Sequence, residues 1–303
     1  MQLNREVVTT PPRASATVVL LRDDPSAGLE VFLLRRHTAS AVLGGAYVFP
    51  GGKLDDADCD SALHTRLDQR VEQLHARLAE PALERHTAAG LYVAAVREAL
   101  EECGVLFARA TGASASSFDD AQRLQWQRRL HDNTAFADLL AQVNLQLDTH
   151  LLAPWSRWIT PQVPSVTNRR FDTRFFVAAL PPGQSALHDN IEAVDSVWLS
   201  PREALQRYWA RELSFAPPQI MTLCSLTQFH AVAEVMQAAQ ANPPPCVLPE
   251  PFDEAGVRTI CYPGDVRHSV RERALVGPTR LRFVEGRFEP LGGLDMLLNP
   301  QTH

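Results

Sequence analysis

Lysine is almost absent from this chain: Lys53 is the only one among 29 Lys and Arg residues, and the formal net charge is −6. Without a global basic field, we expect no nucleic-acid partner and no electrostatic attraction to an anionic membrane. No apolar run approaches the roughly 20 residues that a membrane-spanning helix requires. The first residues, MQLNREVVTT, lack the basic and apolar regions of a secretory signal. The sequence therefore predicts a soluble, cytoplasmic protein without a membrane partner.

Cysteine is sparse and scattered along the chain. The five cysteines are Cys59, Cys103, Cys224, Cys246 and Cys261. Their odd number and the lack of a Cys-x-x-Cys pair argue against a disulfide framework and against a zinc knuckle. This distribution is typical of reduced thiols in a cytosolic protein.

Strand-like and helix-like segments alternate through most of the chain. Two β-rich runs, SATVVLLRDD and LEVFLLRRH, are separated by PSAG and predict a hairpin. GAYVFPGGKLD begins as a short strand and is broken by Pro50-Gly51-Gly52. PWSRWITP and RRFDTRFFVAAL predict two more strands, and IEAVDSVWLSPREAL predicts a strand that enters a helix capped by Ser200-Pro201. This order favours a mixed α/β fold over a doubly wound parallel sheet.

The 303 residues could form one elaborated domain. We expect VLFARA to form a strand, residues 119–147 to be helical, and more helix to follow up to residue 241. We therefore place the main domain at residues 12–241. Residues 242–303 would form a proline-rich connector and an extension, which ends in a hairpin with Glu285-Gly286 at its turn.

A helical segment is predicted between Cys59 and Gly90. Its apolar residues recur at spacings of three and four: Leu63, Leu67, Val71, Leu74 and Leu78. This spacing predicts a helical hairpin or one long helix with a single apolar stripe. We expect the stripe to pack on the main domain or to form a homodimer interface.

The segment VREALEECGVL crowds three carboxylates onto one side of a predicted helix. At about 100° per residue, Glu98, Glu101 and Glu102 share an arc of about 100°. The apolar side chains occupy the opposite arc: Val93, Val96, Leu100 and Cys103. Ala94 and Ala95 are small residues on the acidic side, so another backbone could approach there.

Two interpretations of this acidic arc remain open from the helix alone. A solvated helix face is the commoner origin of a run of charges. Three like charges without matching lysines repel one another, however, and carboxylates on one face can hold Mg²⁺ or Mn²⁺ beside a substrate phosphate. The two glycines of VFPGGKLDDAD allow backbone to come close to a metal or a phosphate, which favours the second interpretation.

Together these two segments resemble the Nudix box, in which Gly, five residues and Glu precede a spacer and Arg-Glu-apolar-x-Glu-Glu-x-Gly-apolar. Gly52 would open the box, Asp58 stands in place of the Glu, and Arg97 begins the second half. The spacer from Cys59 to Val96 replaces the usual seven residues. An insertion at this place resembles the acyl-coenzyme A diphosphatase branch of the Nudix hydrolases, and the resemblance extends from about Ser15 to Leu205. It implies a Nudix-type mixed sheet between helices, with a helical insertion and a C-terminal extension.

The resemblance also implies roles for the box residues. Glu98, Glu101 and Glu102 would bind Mg²⁺ or Mn²⁺, with the carbonyl of Gly51 as a further ligand. Arg97 would hold Glu101 or its neighbour through a charge-assisted hydrogen bond. A general base outside the box is common in the family, although its position differs between branches. Glu192 is a candidate for it, and a surface acid is the equally weighted alternative.

Substrate contacts are implied at four further positions. Gly52 would let the backbone approach the diphosphate, and Arg36 matches the first arginine of a coenzyme A signature, whose second arginine is replaced by Ala41. Arg170 and Arg174 could contact phosphate from one face of a strand, or could be solvent-facing arginines of an amphipathic strand.

The implied reaction is hydrolysis of coenzyme A or acyl-coenzyme A to 3′,5′-ADP and (acyl-)4′-phosphopantetheine. ADP-ribose, NADH or another nucleotide diphosphate is the alternative substrate, although the SQPWPFPxS-type element of NADH-hydrolysing relatives is absent. A regulator that binds a nucleotide without cleaving it is the alternative from another class. All three helix carboxylates are retained here, which favours the enzyme.

Overall fold

The computed structural model describes residues 3–40, 43–111, 119–143, 145–166 and 168–300, so Ala41 lies outside the described residues. Its strands are β1 Arg13–Asp24, β2 Gly28–Arg36, β3 Tyr47–Val48, β4 Gly51–Lys53, β5 Ala108–Ala110, β6 Leu145–Leu147, β7 Ala153–Ile159, β8 Phe171–Ala179, β9 Ala193–Leu199, β10 Cys246–Val247, β11 Glu250–Glu254, β12 Val257–Cys261, β13 Arg280–Val284 and β14 Arg287–Glu289. Its helices are α1 Ser61–His64, α2 Val71–Leu78, α3 Arg85–Cys103, α4 Asp120–His131, α5 Phe136–Gln142, α6 Pro201–Trp209, α7 Pro217–Leu226, α8 Val232–Ala241 and α9 Asp295–Leu298, with 3₁₀ turns at Asp56–Cys59 and Thr149–Leu151. Within the described ranges, none of these helices combines the length and the apolarity needed to cross a membrane.

The main sheet is mixed, as expected. Its order is β10-β7-β8-β1-β2-β3, with β4 paired to the first half of β1 and β9 paired to β2. The predicted first hairpin is confirmed, because β1 and β2 pair antiparallel up to Asp24 and Gly28. β1 also pairs with β8 in parallel, from Arg13 opposite Phe171 to Leu21 opposite Ala179.

Alternate residues of β1 face two different helical layers, because successive strand side chains point to opposite faces. Val18 and Leu20 belong to a buried cluster that contains residues of α3, α4 and α5. Val19 and Leu21 belong to a second cluster that contains residues of α6, α7 and α8. The sheet therefore lies between two helical layers, which confirms the predicted Nudix-type sandwich.

Helix α3 carries the acidic segment and lies in the core. It ends at Gly104, which has a φ of 70°. There the N–H of Val105 donates to the carbonyl of Ala99 at 3.1 Å, a left-handed helix cap. Glu98 and Glu102 on the acidic arc are buried, with 8% and 5% of their surface exposed. The interpretation as a solvated helix face is therefore wrong.

The insertion is neither one long helix nor a continuous stripe. Its leucines Leu63, Leu67, Leu74 and Leu78 are all buried in the α3 cluster, as their spacing predicted. They are divided between α1, a turn and α2, however, and α3 already begins at Arg85. The break between α1 and α2 occurs because Asp68 leaves the helix to pair with another segment. Its N–H donates to the carbonyl of Leu147 at 3.1 Å, and its carboxylate accepts the N–H of Thr149 at 2.9 Å.

Two expectations for residues 105–147 are corrected. Only Ala108–Ala110 of VLFARA forms a strand, β5, which pairs with β6 in a separate two-stranded sheet. Residues 119–147 contain α4, α5 and β6 instead of continuous helix. α4 ends because Asn133 adopts a left-handed conformation, with a φ of 62°.

The C-terminal segment continues the core of the second layer. β10 joins the main sheet in parallel to β7, and β11–β14 form a four-stranded antiparallel sheet. Tyr262, Leu281 and Phe288 of this segment are buried in the cluster that contains α6 and α7. The predicted final hairpin is confirmed, with positive φ at Glu285 and Gly286. The boundary at residue 242 does not interrupt the core and stays a sequence-based expectation.

Candidate active site

The candidate site lies where Gly51 and Gly52, the first two residues of β4, meet the acidic side of α3. Glu102 Oε2 accepts the backbone N–H of Gly51 at 2.7 Å. A Cβ atom built on Gly52 would lie 2.4 Å from Glu98 Oε1, much closer than a non-bonded contact allows. The two glycines therefore allow two carboxylates of one helix to lie directly against a strand.

Arg97 connects the two halves of the box. Its guanidinium forms a bidentate pair with Asp58, with both N–O distances at 2.9 Å. Its Nη1 also donates to Glu98 Oε1 at 2.8 Å and to Glu101 Oε2 at 3.3 Å, and its Nη2 donates to the carbonyl of Lys53 at 3.1 Å. Bidentate charge-assisted bonds fix orientation strongly. Asp58 thus sets the position of Arg97, and Arg97 sets the positions of Glu98 and Glu101.

Burial changes the protonation of the two inner carboxylates. Burial raises the pKa of Glu98 to about 7, with the Arg97 guanidinium opposing the shift and the Glu101 carboxylate adding to it. Burial also raises the pKa of Glu102 well above its usual range, and repulsion from Glu98 adds to that shift. The N–H of Gly51 opposes it by bonding the charged form. Burial is thus the main cause of both pKa shifts, and repulsion from a neighbouring carboxylate adds to each of them.

Replacement of Glu98 should make its raised pKa measurable as a stability that depends on pH. Its pKa in the folded protein exceeds the ordinary 4.5, so its contribution to stability is present below about pH 4.5 and is lost as the pH rises through about 7. In metal-free protein, Glu98→Gln should therefore raise Tm by roughly 3 °C or more at pH 8, and by much less at pH 5. Thermal melts in EDTA at both pH values measure this. The same change in Tm at both values would contradict the assignment.

The donor set suits a hard divalent cation. Glu98 and Glu101 share the guanidinium of Arg97 with Asp58, and Glu102 accepts only the N–H of Gly51 among the contacts of the described residues. Mg²⁺ and Mn²⁺ prefer carboxylate oxygens, and a cation here would relieve the repulsion between Glu98 and Glu102. Glu98, Glu101 and Glu102 therefore fit the group that the resemblance implies. Their role as ligands, and that of the Gly51 carbonyl, stay predictions.

Two further predicted residues lie at the same site. Arg36 ends β2, Glu192 precedes the neighbouring β9, and Arg36 Nη2 lies 3.4 Å from Glu192 Oε2. The charges of both residues act on the carboxylate of Glu102, Arg36 lowering its pKa and Glu192 raising it. Arg36 Nε is buried and has no hydrogen-bond partner among the residues that the structure describes, so this arginine has a donor to offer to an anion.

Sequence reasoning missed two residues that connect the loop of Glu192 to α3. The carboxylate of Asp189 accepts the N–H groups of Ile191 at 3.1 Å and of Ala193 at 3.0 Å, which fixes this loop. His131 lies between Asp189 and Glu101, with N–O distances of 3.4 Å and 3.9 Å. Neither residue belongs to a box motif, so only the three-dimensional arrangement reveals them.

Arg170 and Arg174 are engaged elsewhere, which corrects their predicted contact with a substrate phosphate. Arg174 is buried and forms a bidentate pair with Glu80 of the insertion, at 2.9 Å and 2.6 Å. Arg170 donates to the carbonyls of Thr160 at 3.0 Å and Thr10 at 3.1 Å. A buried arginine requires a fixed anionic partner, and the insertion supplies one. Both arginines therefore hold the structure together.

Comparison with known proteins gives a family match and several relatives. The family model described as the NUDT19 Nudix domain matches residues 9–226. The acyl-coenzyme A diphosphatase NUDT19 of Xenopus laevis is 27% identical over 234 residues, which are 68% of this chain and 62% of the frog protein. Its human counterpart is 29% identical over 262 residues, which are 77% of this chain and 67% of the human protein.

A solved structure supports the same assignment. The crystal structure of a NUDIX hydrolase from Alicyclobacillus acidocaldarius has a TM-score of 0.61 and is 27% identical, and it covers 78% of this chain and 100% of its own. The chain spans less than two thirds of the frog and chicken relatives, at 62% and 63% of their lengths. Since the family match covers well over half of the chain and both halves of the box meet at one site, this chain belongs to the NUDT19 Nudix domain family and is a Nudix hydrolase.

Proposed function

We propose that this Nudix hydrolase, with Mg²⁺ or Mn²⁺, cleaves the diphosphate linkage of coenzyme A or acyl-coenzyme A. The observation that carries the proposal is the pair of buried carboxylates, Glu98 and Glu102, against the Gly51-Gly52 turn. A divalent cation would compensate the charges of these buried carboxylates, and a diphosphate can supply its remaining ligands. The choice of coenzyme A is supported by the vertebrate relatives, which are named acyl-coenzyme A diphosphatases.

The chain's own groups would bind and orient the substrate. A divalent cation held by Glu98, Glu101 and Glu102 would supply charge neutralisation at the diphosphate and would lower the pKa of a water molecule. Arg97 keeps two of these carboxylates in place through its hydrogen bonds. Arg36 would bind a phosphate oxygen through the Nε that has no protein partner.

Glu192 is the proposed general base. Its side chain is 54% exposed and so is accessible to water, and Arg36 holds it at the edge of the carboxylate site. The attacking water forms a bond to one phosphorus, and its proton passes to the carboxylate of Glu192. The bond from that phosphorus to the bridging oxygen then breaks, and its electron pair leaves with the second phosphate. The products are 3′,5′-ADP and (acyl-)4′-phosphopantetheine.

Product analysis on a substrate panel tests the proposal. The protein is incubated with Mg²⁺ or Mn²⁺ and with coenzyme A, an acyl-coenzyme A, ADP-ribose or NADH in turn. We expect 3′,5′-ADP to appear from both coenzyme A compounds, and no turnover when EDTA is present. Cleavage of ADP-ribose or NADH alone would refute the coenzyme A assignment. Tight nucleotide binding without any turnover would indicate a sensor instead.

A further inference from the structure

A cavity of about 190 Å³ lies on the face of the main sheet opposite α3. Its floor is formed by Thr17 of β1, Phe175 of β8 and Trp158 of β7, and the start of α7 forms one wall. Five prolines line it: Pro161, Pro164, Pro217, Pro218 and Pro249. Proline has no N–H donor, so these walls offer apolar surface and few groups that hold water.

Two residues of this cavity carry a polar atom without a partner. Ser165 Oγ and Gln219 Oε1 are buried and form no hydrogen bond within the described part of the chain, in residues that are 8% and 7% exposed. Both residues line the cavity. A buried polar atom without a partner is costly, because it has lost its bonds to water. The unpartnered atoms of Ser165 and Gln219 therefore indicate a ligand that brings its own donors and acceptors into an otherwise apolar space.

The cavity adjoins the candidate active site across one strand. Gly51 lies opposite Thr17, and Thr17 lies opposite Phe175, in adjacent strands. Gly51 and Phe175 are thus two strand spacings apart, roughly 10 Å. The N–H of Gly51 donates to the carboxylate of Glu102. The row formed by Gly51, Thr17 and Phe175 therefore connects the carboxylate site to the floor of the cavity.

The cavity does not suit the nucleotide half of such a substrate. Among the described residues that line it there is no Arg, Lys, His, Asp or Glu. A phosphate enclosed there would lie without a cationic partner, which costs several kcal/mol. An extended chain of amide and methylene groups needs no cationic partner and can lie against apolar walls. Each amide offers one N–H and one C=O, which match the acceptor of Gln219 and the hydroxyl of Ser165.

We infer that this cavity binds the acyl-pantetheine arm of the substrate, and the inference rests on the proposed function. The diphosphate would lie at Glu98, Glu101 and Glu102, and the arm would extend past β4 and enter between β8 and α7. Gln219 accepts an amide N–H of the arm, and Ser165 bonds an amide of the arm. The nucleotide half stays outside the cavity. Gln219 and Ser165 are thus specificity-determining residues that lie away from the reacting phosphorus.

Two variants and two half-ligands test this placement. Val166→Phe fills the cavity, and Gln219→Leu removes the unpartnered acceptor at nearly constant volume. The probes are 4′-phosphopantetheine, which has only the arm, and 3′,5′-ADP, which lacks it, each measured as an inhibitor of coenzyme A hydrolysis. We expect the inhibition constant of 4′-phosphopantetheine to rise about tenfold with Val166→Phe and about fivefold with Gln219→Leu. That of 3′,5′-ADP should stay unchanged.

Matched controls separate the cavity from general effects of substitution. Val270 is 49% exposed and Gln228 is exposed near the other end of α7, so Val270→Phe and Gln228→Leu should leave both constants unchanged. Unchanged constants in the two cavity variants would refute the placement while the proposed function stands. A higher constant for 3′,5′-ADP alone would place the nucleotide in the cavity and also refute it. If the wild-type protein hydrolyses no coenzyme A compound, the proposed function fails, and the placement fails with it.

Discussion

Replacing Glu102 with Gln is expected to abolish nearly all hydrolysis, with kcat lower by about a thousandfold. The amide keeps the shape of the side chain and an oxygen that can accept the N–H of Gly51. It loses the negative charge with which Glu102 would bind a cation at the diphosphate. A loss of about 4 kcal/mol of transition-state stabilisation corresponds to this factor. Steady-state kinetics on coenzyme A with saturating Mg²⁺ would measure it.

The stability of the same variant distinguishes lost chemistry from lost structure. Burial raises the pKa of Glu102, so the contribution of this carboxyl to stability is present at low pH and is lost as the pH rises. Glu102→Gln should therefore melt at the same temperature as the wild type, or higher, in metal-free buffer. Mg²⁺ should raise Tm for the wild type and much less for the variant. Retention of a tenth or more of the wild-type kcat would exclude Glu102 as an essential ligand.

Replacing Asp58 with Ala is expected to cause the largest loss of stability among the site variants, about 3–5 kcal/mol. Asp58 is 1% exposed and forms both bonds of its pair with Arg97. Removal of one partner of a buried ion pair leaves an uncompensated buried charge. The variant also removes the acceptor for the N–H of Asp55, at 2.9 Å, and so weakens the turn that precedes the insertion. Urea unfolding monitored by circular dichroism measures the change.

A neighbouring acid in the same turn provides the control for Asp58. Asp56 is exposed, so Asp56→Ala should change the free energy of unfolding by no more than about 0.5 kcal/mol. Asp58→Asn keeps one acceptor for Arg97 and should lie between the two variants. If Asp58→Ala and Asp56→Ala were equally stable, the pair between Asp58 and Arg97 would be incidental to folding.

The parts of the fold that follow from local sequence were predictable. Two β-rich apolar runs separated by PSAG identified β1 and β2 as a hairpin, and Ser200-Pro201 marked the start of α6. The spacing of the leucines in the insertion identified the buried positions correctly. These features depend on residues that are close in sequence, so the chain shows them without any knowledge of tertiary contacts.

The parts that depend on distant partners were not predictable. Asp68 ends a helical pattern because Leu147 and Thr149 offer it better hydrogen bonds. Arg174 matched an alternating pattern that suggested a substrate contact, but Glu80, far away in sequence, pairs with it. A pattern on one strand shows which residues share a face, and it does not show what covers that face. Tertiary partners therefore decided these roles.

The pair between Asp58 and Arg97 makes the catalytic geometry independent of the length of the chain between them. It joins the turn before the insertion directly to α3, so it closes the intervening segment as a loop with fixed ends. The entropic cost of closing a loop grows only with the logarithm of its length, so a fivefold lengthening costs about 1.4 kcal/mol. A change in the length of residues 59–84 therefore costs little through chain entropy, while the carboxylates of α3 keep their places.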